Sequence, residues 1–163
     1  HLHDRRQRQM CIRDSINNLL ALAAEQAIKV ATDAELETIC QATRPLYQQQ
    51  LGLIEHGLAR INLLRCVMQT SKNLPLQLIS KSLFEQFAPN MEPLADYVQI
   101  DYATYAEYAK KLDNALQARN AIAVRETFEA FAKLNRDSLI KAYSAAQRHL
   151  APISANQPME AIS

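Results

Sequence analysis

Three polar side chains stand in apolar stretches of the sequence, where contact with a ligand is one explanation for them. Asn135 interrupts an apolar helical stripe. A buried amide without a partner costs about 1–3 kcal/mol, so Asn135 must bond either to a ligand or to a neighbouring helix. Arg60 and Arg65 lie near the predicted inward face of another helix, where a guanidinium either pairs with a carboxylate or phosphate or extends into solvent. We take Asn135 and Arg65 as candidate ligand contacts.

Four tyrosines, Tyr97, Tyr102, Tyr105 and Tyr108, form a cluster in the sequence. A tyrosine has an apolar ring and a polar hydroxyl, which suits the rim of a small-molecule pocket. Ordinary core packing explains the cluster equally well. Tyr97 and Tyr108 are the members that we take as candidate pocket residues.

The sequence contains no pattern that is typical of catalysis or of metal binding. No Ser-His-Asp or Cys-His arrangement is evident, and the carboxylates are scattered over predicted helix surfaces. The three cysteines, Cys11, Cys40 and Cys66, are far apart and lack metal-ligand spacing with any histidine. We therefore predict that the protein is not an enzyme, binds no metal or cofactor, and keeps these thiols reduced in the cytoplasm.

Composition and charge restrict the fold and the partners. Among 163 residues only two are glycine, while Ala, Leu, Gln, Glu and Lys dominate, which favours an all-α fold. Lys plus Arg number 18 against 17 Asp plus Glu, so no broad positive field exists to hold DNA. No apolar run reaches the roughly 18 residues of a membrane span, and we expect no membrane contact.

The first fifteen residues differ in character from the rest of the chain. They contain four arginines and few apolar residues, and DRRQRQMCIRDS resembles the translation of sequencing-adapter read-through. We predict that residues 1–15 are a non-native leader outside the fold. A basic arm that binds nucleic acid is the alternative. At the other end, residues 151–163 are predicted to form a disordered tail.

Residues 16–150 are predicted to form one helical domain. A first helix begins near Ile16 with Ser15 as its cap, and residues 46–71 form either two helices or one kinked helix. A later helix is expected to stop before Pro89. Further helix starts are predicted at Thr32, Asn73, Asp101 and Ala121. Because such amphipathic helices cannot bury their apolar stripes alone, we predict an antiparallel bundle of six or seven helices.

Two segments carry a resemblance to a known family. RINLLRCVMQTSKNLPLQLISKSL begins at Arg60, and YAEYAKKLDNALQARNAIAVRETFEAFAKLNRDSL begins at Tyr105. With the turns at residues 71–73 and 119–120, they resemble the C-terminal ligand-binding domain of GntR-family transcription regulators of the FadR subfamily. The order and spacing agree over most of residues 16–145. The resemblance implies a homodimer that contacts DNA only through a winged helix-turn-helix domain, which is not among these residues.

The resemblance also implies a ligand site on the last helix. The segment VRETFEAFAKLNRDSL carries the family's pocket-facing positions onto Phe131, Ala132, Asn135 and Leu139. In the acyl-CoA sensor of the subfamily a glycine, a serine and a tryptophan stand where Ala132, Asn135 and Leu139 stand here, so the ligand is expected to differ. Many relatives hold a metal through one Asp and three His. The matching residues here, Arg60, Leu64, Tyr108 and Phe131, are not ordinary ligands for such an ion.

We therefore predict that residues 16–150 are the effector-binding domain of a FadR-like regulator, with a fatty acyl-CoA or related small carboxylate as effector. A helical dimerisation module without a ligand is the alternative. An enzyme built in the bundle core is a third reading, which requires ionisable residues that converge on a cavity.

Overall fold

The computed structural model describes residues 2–150; the predicted tail, residues 151–163, lies outside the described residues. Within that range the chain is all-α, which confirms the predicted helical bundle. The α-helices are α1 (Leu2–Val30), α2 (Asp33–Thr43), α3 (Pro45–Gln48), α4 (Leu53–Thr70), α5 (Leu74–Met91), α6 (Tyr102–Gln117) and α7 (Ala121–Leu150). A 3-10 helix (Glu92–Tyr97) comes after α5. None of these helices is both long and apolar enough to cross a bilayer.

The two longest helices, α1 and α7, pack along each other and form the spine of the bundle. Helix α6 packs on α7, α2 packs on α4 and α6, and α5 packs on α1. The largest fully buried side chains come from α2, α4, α6 and α7, and are Tyr105, Ile39, Leu112, Leu116, Leu139, Val67 and Val124. Burial of an aliphatic side chain of this size stabilises the fold by about 1.5–3 kcal/mol. These residues hold in place the helices that line the site.

Three predicted helix starts are confirmed by their caps. The Thr32 hydroxyl accepts a hydrogen bond from the Glu35 amide, and the Glu35 carboxylate accepts one from the Thr32 amide. The side chains of Asn73 and Asp101 each accept a hydrogen bond from an amide in the first turn of α5 and α6. Each cap satisfies amides that have no partner within the helix. These short-range bonds are readable from sequence because both partners lie within four residues.

Helix α1 does not begin at Ile16 as predicted, but extends through the predicted leader. Ser15 lies inside the helix, where its hydroxyl donates to the Cys11 carbonyl oxygen at 3.0 Å. Gln9 and Arg13 continue the inward face of the helix and are buried. Because these inward positions are polar, a search for apolar periodicity finds the helix only from Ile16 onward. The non-native origin of the leader stays a prediction.

The predicted segment from residue 46 to residue 71 is two helices, α3 and α4, separated by residues 49–52. The expectation that α5 stops before Pro89 is wrong, because α5 continues to Met91. Proline removes one backbone hydrogen bond, but here it does so only in the final turn. Phe87 and Met91 pack on a buried cluster around Leu94 and Tyr143, which holds that turn helical.

Two turns place a non-glycine residue in the left-handed region. Lys72 has φ 55° and Arg119 has φ 49°, at the two positions where the family resemblance predicted turns. The Arg119 guanidinium donates to the carbonyl oxygens of Ile28 and Ala31 at the end of α1 and pairs with Asp33 at 2.7 Å. These bonds cap α1 and fasten the α6–α7 turn to the α1–α2 junction.

Candidate functional site

A cavity of about 400 Å³, open to solvent on one side, is lined mainly by α1, α4, α5 and α7. This volume falls within the range of small-molecule sites in proteins, about 300–1,000 Å³. Most of its lining is aliphatic or aromatic. The lining side chains that carry polar groups are Arg13, Asn17, Arg60, Tyr105, Asn135 and Ser138. An apolar wall with a few polar groups is the usual character of a site for an organic ligand.

Helix α7 contributes a continuous face to the cavity wall. Phe131, Ala132, Asn135 and Leu139, the four positions that the resemblance identified, all line it. Their spacing of one, three and four residues places them on one side of the helix. The structure therefore brings this predicted set together, and a ligand contact by each of them stays a prediction.

The choice of Arg65 as the cavity arginine is not supported, because Arg60 lines the cavity and Arg65 is exposed. Both lie on α4, five positions apart. Each residue of an α-helix turns by about 100°, so five positions separate two side chains by about 140°. The two arginines therefore cannot share the inward face. The helical period alone shows that only one of the two arginines can face inward. It does not show which one does.

The two predicted tyrosines lie outside the cavity wall. Tyr108 packs edge-on against the outer side of the Phe131 ring, with centroids 6.0 Å apart. Tyr97 packs beside His149, with ring centroids 5.7 Å apart. Tyr105, another member of the same cluster, is the tyrosine that lines the cavity. Its ring is fully buried. Of the three tyrosines on α6, only Tyr105 is buried, whereas Tyr102 is exposed and Tyr108 is partly exposed.

Arg60 is the central polar residue of the cavity. Its Nη1 donates to Asn135 Oδ1 at 3.3 Å and lies 3.5 Å from the Tyr105 hydroxyl. Its Cζ lies 5.4 Å from the centroid of the Tyr105 ring. Within the described residues, its Nε is buried without a hydrogen-bond partner and no carboxylate forms an ion pair with it. The cationic group is thus oriented by neutral groups and is not neutralised by an acid of residues 2–150.

A second guanidinium, that of Arg13 in α1, also lines the cavity. Burial lowers the pKa of Arg13 to about 10, and the nearby positive charges of Arg60 and Arg136 act in the same direction. A group with this pKa stays protonated at neutral pH. Asp14, the adjacent acid, forms an ion pair with Arg136. Among the described residues that line the cavity there is no Asp or Glu, so its wall carries net positive charge.

The positions that match the family's metal ligands do not fit a metal. Arg60 carries a positive charge, and Leu64 and Phe131 have no lone pairs to donate. Tyr108 is not among the residues that line the cavity with Arg60 and Phe131. Elsewhere in residues 2–150, no three His, Cys, Asp or Glu side chains come close enough to hold an ion.

A paired ion cluster lies outside the cavity, around Asp113 in α6. The Asp113 carboxylate is 2% exposed and accepts hydrogen bonds from the Tyr47 hydroxyl, from Arg44 Nε at 3.2 Å and from Gln117 Nε2 at 2.8 Å. Burial raises the pKa of a carboxyl group, but these donors outweigh it and lower the pKa of Asp113. Arg44 also pairs with Glu37 at 2.7 Å. Each charged group of this cluster therefore pairs with an opposite charge within the protein.

His56 packs on the Tyr105 ring but does not line the cavity. It is 2% exposed and packs edge-on against Tyr102 and Tyr105, at centroid distances of 5.1 and 4.9 Å. Neither ring nitrogen has a hydrogen-bond partner among the described residues. Burial, with the positive charge of Arg60, lowers the pKa of His56 to about 4. His56 is therefore neutral at pH 7.

Five polar cavity residues were not predicted as site residues from the sequence, namely Arg13, Asn17, Arg60, Tyr105 and Ser138. Arg13 was excluded together with the leader. Asn17 stands beside another asparagine and Ser138 follows two charged residues, so neither one interrupts an apolar run. Helical phase offers one signal that could have found Ser138, because it lies three positions after Asn135 and one before Leu139. Nothing local distinguishes Asn17 from a solvent-facing side chain.

None of the protein-family models, curated proteins or solved structures compared with this chain matches it. The likeness to GntR-family regulators therefore stays an expectation that depends on the two segments that begin at Arg60 and Tyr105. The function has to be argued from the cavity and its charges.

Proposed function

We propose that residues 16–150 are the effector-binding domain of a bacterial transcription regulator of the GntR family, FadR subfamily, which binds its ligand without transforming it. The effector is a fatty acyl-CoA or a related small carboxylate. In the intact regulator, a homodimer would carry winged helix-turn-helix domains. Effector binding would then shift the helix packing and change the spacing of the two DNA-reading heads.

One observation carries this proposal: the cavity of about 400 Å³ is apolar, and its wall combines the α7 face with the Arg60 guanidinium. The α7 face contains the four positions that the family resemblance assigned to the pocket. An apolar wall favours an alkyl or aromatic body. A partly buried cation without an acidic partner among the described residues favours a ligand that carries negative charge.

A thermal-shift experiment on the full chain tests the proposal. The panel contains short and long acyl-CoAs, free fatty acids, small dicarboxylates and divalent metal ions. A ligand at one hundred times its Kd stabilises a protein by about 2.7 kcal/mol, which raises the Tm of a domain of this size by roughly 5–10 °C. We expect such a rise with at least one acyl-CoA or carboxylate, and none with metal.

Two variants of α7 make the test specific for the cavity. Ala132→Phe adds a ring to the cavity wall and should abolish the ligand-induced rise in Tm. Lys133→Phe, the matched control, adds the same ring at the adjacent exposed position and should leave the rise unchanged. A rise that survives Ala132→Phe would place the ligand elsewhere and contradict the proposal.

A dimerisation module without a ligand is the second candidate, and one surface favours it. Ile54, Leu58 and Ile61 of α4 are 77%, 62% and 45% exposed and follow helical spacing. A continuous exposed apolar stripe is a common feature of helix-helix interfaces. This candidate expects a concentration-dependent dimer that Leu58→Glu disrupts, together with no shift in Tm for any ligand of the panel.

A further inference from the structure

If the cavity binds an effector, as proposed above, the charges of its wall limit the chemical form of that ligand. Arg60 donates to a neutral amide oxygen and lies beside a neutral hydroxyl, so its positive charge has no counterion among the described residues. Arg60 is partly buried, and an unpaired charge becomes more costly as it is removed from water. A ligand with a formal negative charge at this position gains a charge-assisted bond, whereas a neutral group gains only an ordinary one.

The groups around Arg60 suit a carboxylate in particular. Asn135 offers its Oδ1 to Arg60, which leaves its amide nitrogen as a donor, and the Tyr105 hydroxyl is a further donor. The planar guanidinium matches the two oxygens of a carboxylate in a bidentate pair. Arg13 adds a second positive charge to the same wall. The wall therefore offers several donors to one anionic group.

The part of the wall that α5 contributes is different, because it contains no polar side chain. Phe84, Phe87, Ala88 and Met91 line the cavity there. These side chains offer dispersion contacts to an alkyl chain and no hydrogen bonds. A molecule with one anionic end and one alkyl body meets both parts of the wall.

We infer that the ligand of this cavity is an unesterified fatty acid, whose carboxylate pairs with Arg60 and whose alkyl chain packs on the α5 side chains. The thioester of an acyl-CoA presents a neutral carbonyl oxygen to Arg60 and leaves the guanidinium without a counterion. A fatty alcohol likewise presents only a neutral hydroxyl. The site therefore selects the free acid over both.

The test measures the affinity of the full chain for decanoate, decanol and decanoyl-CoA by calorimetry at pH 7.5. We expect wild-type protein to bind decanoate at least tenfold more tightly than decanol or decanoyl-CoA. Arg60→Gln should weaken decanoate binding by roughly 30-fold or more, because removal of one partner of a buried charge pair costs about 2 kcal/mol or more. The same variant should leave decanol binding within about twofold of wild type.

Arg65→Gln is the matched control, since it makes the same substitution on the exposed side of α4 and should not change any affinity. The ratio of the wild-type affinities for decanoate and decanol requires no variant. It therefore tests the inference even if Arg60→Gln fails to fold. Equal affinity for decanoate and decanol would overturn the inference. So would equal losses in Arg60→Gln and Arg65→Gln.

The failure of this inference differs from the failure of the proposed function. Tight binding of decanoyl-CoA with weak binding of decanoate would overturn the free-acid ligand and leave the acyl-CoA effector in place. Absence of binding by all three ligands, and by the wider thermal-shift panel, would overturn both and favour the dimerisation module.

Discussion

Arg44, between α2 and α3, and Arg60, in α4, both contact residues of other helices, but the charges around them differ. Arg44 lies between two carboxylates, those of Glu37 and Asp113, and its charge is balanced within the protein. Arg60 lies among neutral oxygens, and its Nε has no partner among the described residues. A balanced arginine stabilises the fold, whereas an unbalanced one beside a cavity is available to a ligand. The difference identifies the cavity, and not the Asp113 cluster, as the candidate functional site.

The strongest way to break this comparison is to remove the acid from the paired cluster. Asp113→Ala leaves Tyr47, Gln117 and Arg44 without their common acceptor. We expect a loss of about 3 kcal/mol in the free energy of unfolding, because three hydrogen bonds are lost and each contributes about 1 kcal/mol.

Urea unfolding at pH 7 measures this loss. Asp137→Ala is the control, since it removes the same carboxylate from an exposed position of α7 and should change stability by less than about 0.5 kcal/mol. Equal effects of the two variants would mean that the cluster around Asp113 adds nothing to stability.

A pair of identical substitutions sharpens the comparison between the two arginines. Arg60→Met should change the free energy of unfolding of the ligand-free protein by less than about 1 kcal/mol, because an unpaired, partly buried charge is replaced by an apolar chain of similar length. Arg44→Met should destabilise the protein more, since it removes a donor from buried Asp113. Chemical unfolding of both variants at the same pH measures the difference. If Arg60→Met proved the more destabilising, the view of Arg60 as a ligand-binding group would be wrong.

The smallest expected effect concerns His56, which shares the Tyr105 ring with Arg60. Its pKa is lowered from 6.5 to about 4 in the folded protein. Between these values the unfolded chain binds a proton that the folded chain does not, so stability falls as pH decreases from about 6.5 towards 4. The slope is at most about 1.4 kcal/mol per pH unit. At pH 7 His56 is neutral in both the folded and the unfolded chain, so this destabilisation is absent.

His56→Phe should remove this part of the pH dependence while it keeps the edge-on contacts with the tyrosines. Unfolding of wild type and variant at pH 7 and pH 5 is the measurement. The wild type should lose more stability between the two pH values than the variant. His149→Phe is the control, because that histidine is exposed. A wild type and a His56→Phe variant with parallel pH profiles would show that His56 titrates as freely as in an unfolded chain.

Local signals in the sequence predicted most of the helices correctly. The capping residues at Thr32, Asn73 and Asp101 act on amides within their own first turn, so they are independent of the rest of the fold. The start of α1 was predicted wrongly because Gln9 and Arg13 occupy inward positions. Polar residues on an inward face interrupt the apolar pattern without ending the helix.

The α7 face of the candidate site was predicted, but the opposite wall was not. The family resemblance implied Phe131, Asn135 and Leu139, and these positions also share one helical phase. The choice between Arg60 and Arg65 depended on the rotation of α4 about its axis. That rotation is set by which neighbours α4 packs against, and no local pattern encodes it.

The sequence by itself determined an all-α chain, the capped starts of its helices and one continuous cavity-facing side of α7. Composition, caps and helical phase are all properties of short segments. Only the tertiary structure decided that α1, α4, α5 and α7 line one cavity and that Arg60, and not Arg65, faces it. It also decided that the buried acid, Asp113, lies outside this cavity. The reason is that cavities and charge balance arise between helices, from contacts between residues far apart in the chain.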